Sequence, residues 1–187
     1  MRYKRLFLNI LEVHHQNSLI EENYIEFRNT GQELVDVGLT KGTGGCLSKH
    51  LNEGILVSAT GAQLGNLSKK DLSLIKEVRN NKIYWMGDNK PSSESPLLFE
   101  LYLSIPNVKT IIHGHCPRIT YDKKMQKYAT PAYVRYGCFG EGKKIANILE
   151  QNGGFVILRF HGEISIGESL KESFKKLKQK MEEAHER

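Results

Sequence analysis

No apolar run in the 187 residues approaches the roughly 20 that a membrane-crossing helix needs. A helical membrane protein is therefore not expected. Cysteine is scarce: Cys46, Cys116 and Cys138 are the only three, and none forms a Cys-x-x-Cys pair. An odd, scattered set argues against a disulfide framework and fits a reducing compartment. There is no internal repeat, low-complexity segment or linker, so one domain over residues 1–187 is expected. The first ten residues are basic and then apolar, like a leader. The apolar stretch is short, however, and Glu12 and His14 interrupt it, so a cytoplasmic protein is expected. Aromatics are almost missing where the positive charge collects. Lys171, Lys175, Lys176, Lys178 and Lys180 share the last helix with Glu168, Glu172, Glu182 and Glu183, and Phe174 is the one aromatic there. That is the pattern of a solvated helix face, and nucleic-acid binding is not expected. The net charge of +6 could still draw in a phosphorylated substrate.

What is present is the composition of a soluble globular protein, 39% hydrophobic and 26% charged. Apolar periodicity predicts helices over 21–37, 95–104, 141–150 and 169–183. Strands are predicted over 46–49, 55–59, 82–86, 108–113, 155–160 and 164–166. Asn52-Glu53-Gly54 reads as a hairpin turn and Ser68 as the cap of a turn from Lys69. Residues 123–131 give no clear signal. Helices interleave with strands, and the hairpin implies antiparallel pairing. The class is α/β, with a mixed or largely antiparallel sheet covered by helices.

The chemistry lies in three short motifs. Pro91-Ser92-Ser93-Glu94, His113-Gly114-His115 and His161-Gly162 hold a carboxylate and three imidazoles. Two histidines one residue apart on a strand point to one face. With a third from a distant turn they could form an open divalent-metal site, as catalytic zinc uses. The alternative is a strand-end histidine that only hydrogen-bonds a neighbour. Three turns, Thr43-Gly44-Gly45, Thr60-Gly61 and Ser92-Ser93, are small, hydroxylated and rich in backbone N–H. If they converge they make a phosphate pocket without a P-loop; singly, each is only a turn. Glu94 follows the last of them. It could move a proton on a substrate held by metal and turn, or it could simply favour its helix dipole.

In this order the motifs resemble the class II aldolase/adducin family. The matching stretches are Gly38-Leu39-x-x-Gly42-Thr43-Gly44-Gly45, Ser58-Ala59-Thr60-Gly61, Lys90-Pro91-Ser92-Ser93-Glu94, His113-Gly114-His115 and Leu158-x-x-His161-Gly162. The resemblance covers roughly residues 22 to 180. It implies a three-layer α/β/α sandwich with a central, largely antiparallel sheet. It makes His113, His115 and His161 the ligands of Zn²⁺ or another divalent ion, and Glu94 the acid/base. Thr60, Gly61, Ser92 and Ser93 become phosphate-binding positions, which the Thr43 and Gly45 turn would extend. The implied activity is retro-aldol cleavage of a small phosphorylated ketose through a metal-stabilised enediolate. The alternatives are an epimerase, dehydratase or decarboxylase on the same metal site, or a non-catalytic adducin-like scaffold. A homotetramer of C4 symmetry is implied too. Cys46 and Phe160 stand where the family commonly has asparagine. Neither Tyr121 nor Tyr128 aligns with the family's catalytic tyrosine, and no tyrosine follows Tyr136.

Overall fold

The computed structural model describes residues 2–6 and 10–185. Met1 and residues 7–9, part of the leader-like stretch, lie outside the described residues. In chain order the elements are β1 (Arg2–Arg5), α1 (Ile10–Asp36), β2 (Cys46–Leu51), β3 (Gly54–Ser58), β4 (Leu72–Arg79) and β5 (Lys82–Gly87). Then follow α2 (Ser95–Ser104), β6 (Thr110–Gly114), α3 (Pro117–Thr120), β7 (Ala129–Tyr133), α4 (Gly142–Gln151), β8 (Phe155–Arg159), β9 (Gly162–Gly167) and α5 (Leu170–His185). No helix among the described residues is long and apolar enough to cross a membrane.

The strands form one sheet in the order β1-β5-β4-β3-β2-β6-β9-β8-β7. Two hairpins set its centre. The first turns at Asn52-Glu53, pairing Leu51 with Gly54. The second turns at Asn80-Asn81, both with positive φ, 52° and 57°. Two left-handed residues in a two-residue loop match the twist of the strands they join, and asparagine tolerates that conformation.

The sheet is mixed, which corrects the expectation of a largely antiparallel one. Its two outermost pairs, β1 with β5 and β7 with β8, are parallel. The reason at the second edge is the crossover: α4 carries the chain back between β7 and β8, so both run the same way. The clear three-layer sandwich is also not met. One face is covered by α1, of 27 residues, and α5, of 16. The other carries α2 and α4, of ten residues each. Each short helix is about 15 Å long, against roughly 38 Å for nine strands at about 4.8 Å spacing.

Alternation along β6 builds both cores. Ile112 joins Leu47, Leu56, Leu74 and Ile157 under Phe27 and Leu34 of α1 and Leu177 of α5. Ile111 joins Val57, Ile75, Val156 and Ile164 beneath Leu97 and Leu101 of α2 and Ile145 and Leu149 of α4. His113 follows Ile111 at the strand repeat of two, so it points to the α2–α4 side. The start of α2 faces the histidines, with Glu94 at its N-cap beside His161. On α5 the predicted apolar side is internal, while Lys171, Lys175 and Lys178 are exposed.

Candidate metal centre and its cavity

His113 ends β6, His115 follows it, and His161 sits in the tight turn between β8 and β9. Strand pairing brings the turn to the pair: Gly114 lies opposite Glu163 in the β6–β9 register. A side chain at Gly162 would make this impossible. Its Cβ would fall 2.3 Å from the Gly114 carbonyl oxygen and 3.0 Å from His113 Cε1. Gly45 has the same role on the other side. Its φ is +81°, and a Cβ there would lie 2.4 Å from the His113 carbonyl oxygen.

The three imidazoles converge. One ring nitrogen from each of His113, His115 and His161 lies within 4.8 Å of the others. Ring centroids are 4.6, 4.9 and 5.2 Å apart. His113 Nδ1 is 3.0 Å from the Glu163 carbonyl oxygen, which only accepts. That nitrogen therefore carries the proton, and the Nε2 lone pair faces the cluster. His115 Nε2 is 2.8 Å from His113 Nε2.

Protonation of these rings is disfavoured. Burial lowers His113 well below the ordinary histidine range, and repulsion from His115 and His161 lowers it further. Burial also lowers His115, and it brings His161 to about 4. Neutral imidazoles are the ligating form.

Glu94 stands at the N-cap of α2, yet its side chain makes no cap hydrogen bond. It turns to the cluster instead, with Oε1 3.6 Å from His161 Nε2. Burial raises its carboxyl to about 7. Glu94 Oε2 and His161 Nδ1 are both buried without a hydrogen-bond partner. Three neutral nitrogens beside an unsatisfied carboxyl fit a divalent cation, whose charge satisfies what the chain leaves unpaired.

The three predicted turns line a single cavity. A hollow of about 310 Å³ is bounded by Thr43, Gly44, Gly45, Ala59, Thr60, Gly61, Ser92, Ser93 and Glu94, with His113 and His115 at its floor. Backbone bonds hold two of the turns together. Thr60 N–H donates to the Lys90 carbonyl at 2.9 Å, and Ser92 N–H to that of Ser58 at 3.1 Å. No lysine or arginine is among these lining residues. A larger hollow of about 500 Å³, between α1 and the β1–β5 edge, holds none of the predicted site residues.

Cys46 does not line the cavity. It pairs with His113 across the sheet and is buried, with its thiol beside the Ser92 hydroxyl; burial pushes the thiol up to about 12. Phe160 is exposed in the β8–β9 turn with φ +60°. Tyr128 belongs to a distant network with Glu183 and Lys180. Tyr121 is exposed after α3.

Two residues near the site were not singled out from the sequence. Glu163 is fully buried, and its carboxyl accepts from Cys116 N–H at 3.0 Å and Thr120 Oγ1 at 3.1 Å. It fixes the turn that follows His115, and burial raises it to about 8. An acidic residue in a short, buried strand was the one available signal. Tyr136 has its ring 6.3 Å from that of His161. It lies on an irregular loop, and no periodicity marks it.

Comparison with known proteins agrees with this geometry. Residues 26–185 match the family model described as the class II aldolase and adducin N-terminal domain. A 5-methylthioribulose-1-phosphate/5-deoxyribulose-1-phosphate aldolase of Rhodospirillum rubrum is 27% identical, covering 79% of this chain and 72% of its own. An L-fuculose phosphate aldolase of Methanococcus vannielii is 27% identical, covering 80% and 86%. Among solved structures, YgbL of Klebsiella pneumoniae superposes with a TM-score of 0.70 at 25% identity, covering 90% of this chain and 87% of that one. Its designation leaves aldolase, epimerase and decarboxylase open.

Proposed function

The chain belongs to the class II aldolase and adducin family and is an aldolase-type lyase by that membership; from this premise we propose that it cleaves a small phosphorylated ketose by a metal-assisted retro-aldol reaction. The reading is carried by one observation. Three neutral imidazoles and a buried carboxyl converge, and two of the imidazoles and the carboxyl line a cavity walled by N–H and hydroxyl groups.

His113, His115 and His161 would hold the ion. Zinc is the ion proposed, since imidazole ligation suits it, although affinity alone would not select it over its neighbours. When bound, the ion acts as a Lewis acid toward the sugar oxygens and offsets the negative charge that carbon–carbon cleavage leaves.

The chain's own residues do the rest. Thr43, Gly45, Thr60, Gly61, Ser92 and Ser93 hold the phosphate. Without a cation among the lining residues, the anion rests on backbone N–H groups, hydroxyls and the N-terminal end of α2. Glu94 carries the proton. Raised to about 7, its carboxyl is close to the pH at which a group both gives and takes protons readily. In the cleavage direction the ionised carboxylate takes the proton that the carbinol hydroxyl loses as the carbon–carbon bond breaks, and the acid form so made returns it to the carbon of the phosphorylated fragment. The homotetramer that the family resemblance implies and the cytoplasmic setting expected from the sequence complete the proposal, and light scattering tests the assembly.

The reaction is tested by supplying a divalent metal and a panel of ketose 1-phosphates, and assaying dihydroxyacetone phosphate and free aldehyde. Cleavage of at least one member is expected. Full metal occupancy with no cleavage of any member rejects the reading. An epimerised or decarboxylated product, identified by NMR, reassigns the reaction on the same site.

A further inference from the structure

Among the described residues, three donors hold the Ser92 carbonyl. Ser95 supplies two, its hydroxyl at 2.6 Å and its N–H at 3.1 Å. Both are local, the kind of bond a helix start makes for itself. The third comes from 89 residues away: the Tyr3 hydroxyl of β1 donates at 3.0 Å. A carbonyl oxygen has two lone pairs, so this one is saturated and its direction is fixed. Neither Tyr3 nor Ser95 lines the cavity of the three turns, whereas Ser92 and Ser93 both do. The carbonyl is therefore anchored behind the cavity wall. The peptide unit is planar and trans, so the N–H of Ser93 lies opposite that oxygen. Pinning the oxygen at the back turns the N–H to the front. Among the described residues nothing accepts from it.

The Tyr3 ring grips the same segment a second time. Lys90 Nζ lies 4.1 Å from its centroid. The Lys90 carbonyl in turn accepts from Thr60 N–H at 2.9 Å, and Thr60 belongs to the second turn. Tyr3 reaches this far because β1 lies parallel on β5, with Tyr3 opposite Ile83, and because its ring packs against the α2–α4 core. Burial raises its hydroxyl above the ordinary tyrosine range, so it stays an O–H donor. β1 precedes residues 26–185, the span that matches the family model.

We propose that Tyr3 is a positioning residue for substrate binding: by anchoring the Ser92 carbonyl it aims the Ser93 N–H at the substrate's phosphate. The proposal rests on the reading of the cavity as a phosphate site and deepens it. It gives the edge strand β1, which lies outside the span matching the family model, a part in holding the substrate. Tyr3 itself touches no substrate atom and acts through one peptide unit.

The test titrates zinc-loaded protein with dihydroxyacetone phosphate by calorimetry and follows the Ser93 amide by NMR of isotope-labelled protein. A wild-type protein that holds zinc but does not bind this ligand overturns the phosphate reading and the proposal with it. Given binding, the Ser93 amide should shift when the ligand is added. Tyr3→Phe keeps the ring and its contact with Lys90 and removes only the hydroxyl. It should weaken the ligand about three- to tenfold, as loss of one hydrogen bond does, and reduce the Ser93 shift, with zinc content unchanged. In cleavage assays the same variant should raise KM and leave kcat little changed. Unchanged affinity in Tyr3→Phe, or weakened affinity with the full Ser93 shift retained, overturns the proposal and leaves the phosphate reading standing. If the variant does not fold, the wild-type amide decides: a Ser93 signal unmoved by bound ligand overturns the proposal.

Discussion

Replacing Glu94 by glutamine should make the metal-free protein more stable and the enzyme inactive. Glu94 is 7% exposed, and its carboxyl is raised from 4.5 to about 7 by burial. Its folded form therefore holds a proton that the unfolded chain has already released above about 4.5. The linkage sign follows: between these values the folded state binds more protons, so stability falls as pH rises. At about 1.4 kcal/mol per tenfold, the ionised carboxyl costs the metal-free protein up to about 3 kcal/mol above pH 7. Glutamine has nearly the same shape and no charge to desolvate. Urea unfolding of chelator-treated Glu94→Gln should give a gain of about 3 kcal/mol at pH 8, shrinking to near zero at about pH 4. With zinc restored, cleavage should fall by about 10²- to 10⁴-fold, the range for losing a general acid–base. A variant destabilised at pH 8, or a gain that does not change with pH, would refute the reasoning.

Three further outcomes follow from the same geometry. Gly162→Ala forces a Cβ to 2.3 Å from the Gly114 carbonyl, so it should cost more than about 2 kcal/mol and cut zinc affinity, both read by denaturation with and without metal. Ser92→Ala combined with Thr60→Val should raise KM for the phosphorylated ketose about tenfold with kcat little changed, because phosphate is bound equally in ground and transition states. His161, lowered to about 4, keeps its ring neutral in the fold while the unfolded chain protonates near 6.5. In the metal-free Glu94→Gln protein, where the opposite contribution of Glu94 is removed, the His161 contribution to stability should therefore be fully present above about pH 6.5 and be lost as pH drops toward 4, read by an acid titration of circular dichroism.

The sequence made some elements plain and hid others for physical reasons. The His113 and His115 pair was legible because a strand repeats every two residues. Their meeting with His161 was legible only as a possibility, since it depends on the β6–β9 pairing, and the family resemblance is what turned it into an expectation. β4 was missed because Leu72, Ser73, Leu74 and Ile75 are all buried, so the run shows no alternation. Asn80-Asn81 was the overlooked signal. α1 begins at Ile10, eleven residues before the expected 21, because its early turns are polar and only Gln16, Leu19 and Ile20 of their described side chains are buried. The convergence of the three small turns was legible as a condition; backbone bonds join 58–60 to 90–92, and all three turns line one cavity. Tyr136 was invisible, because it lies on an irregular loop that no periodicity marks.

The central claim is that His113, His115 and His161 act together on one ion. Equilibrating the protein with zinc, dialysing away the excess and counting metal per chain tests it most directly. One ion per chain in the wild type, and none in each single histidine-to-alanine variant that still folds, is the predicted result. A wild-type chain that retains no metal, or variants that retain as much as the wild type, would contradict it.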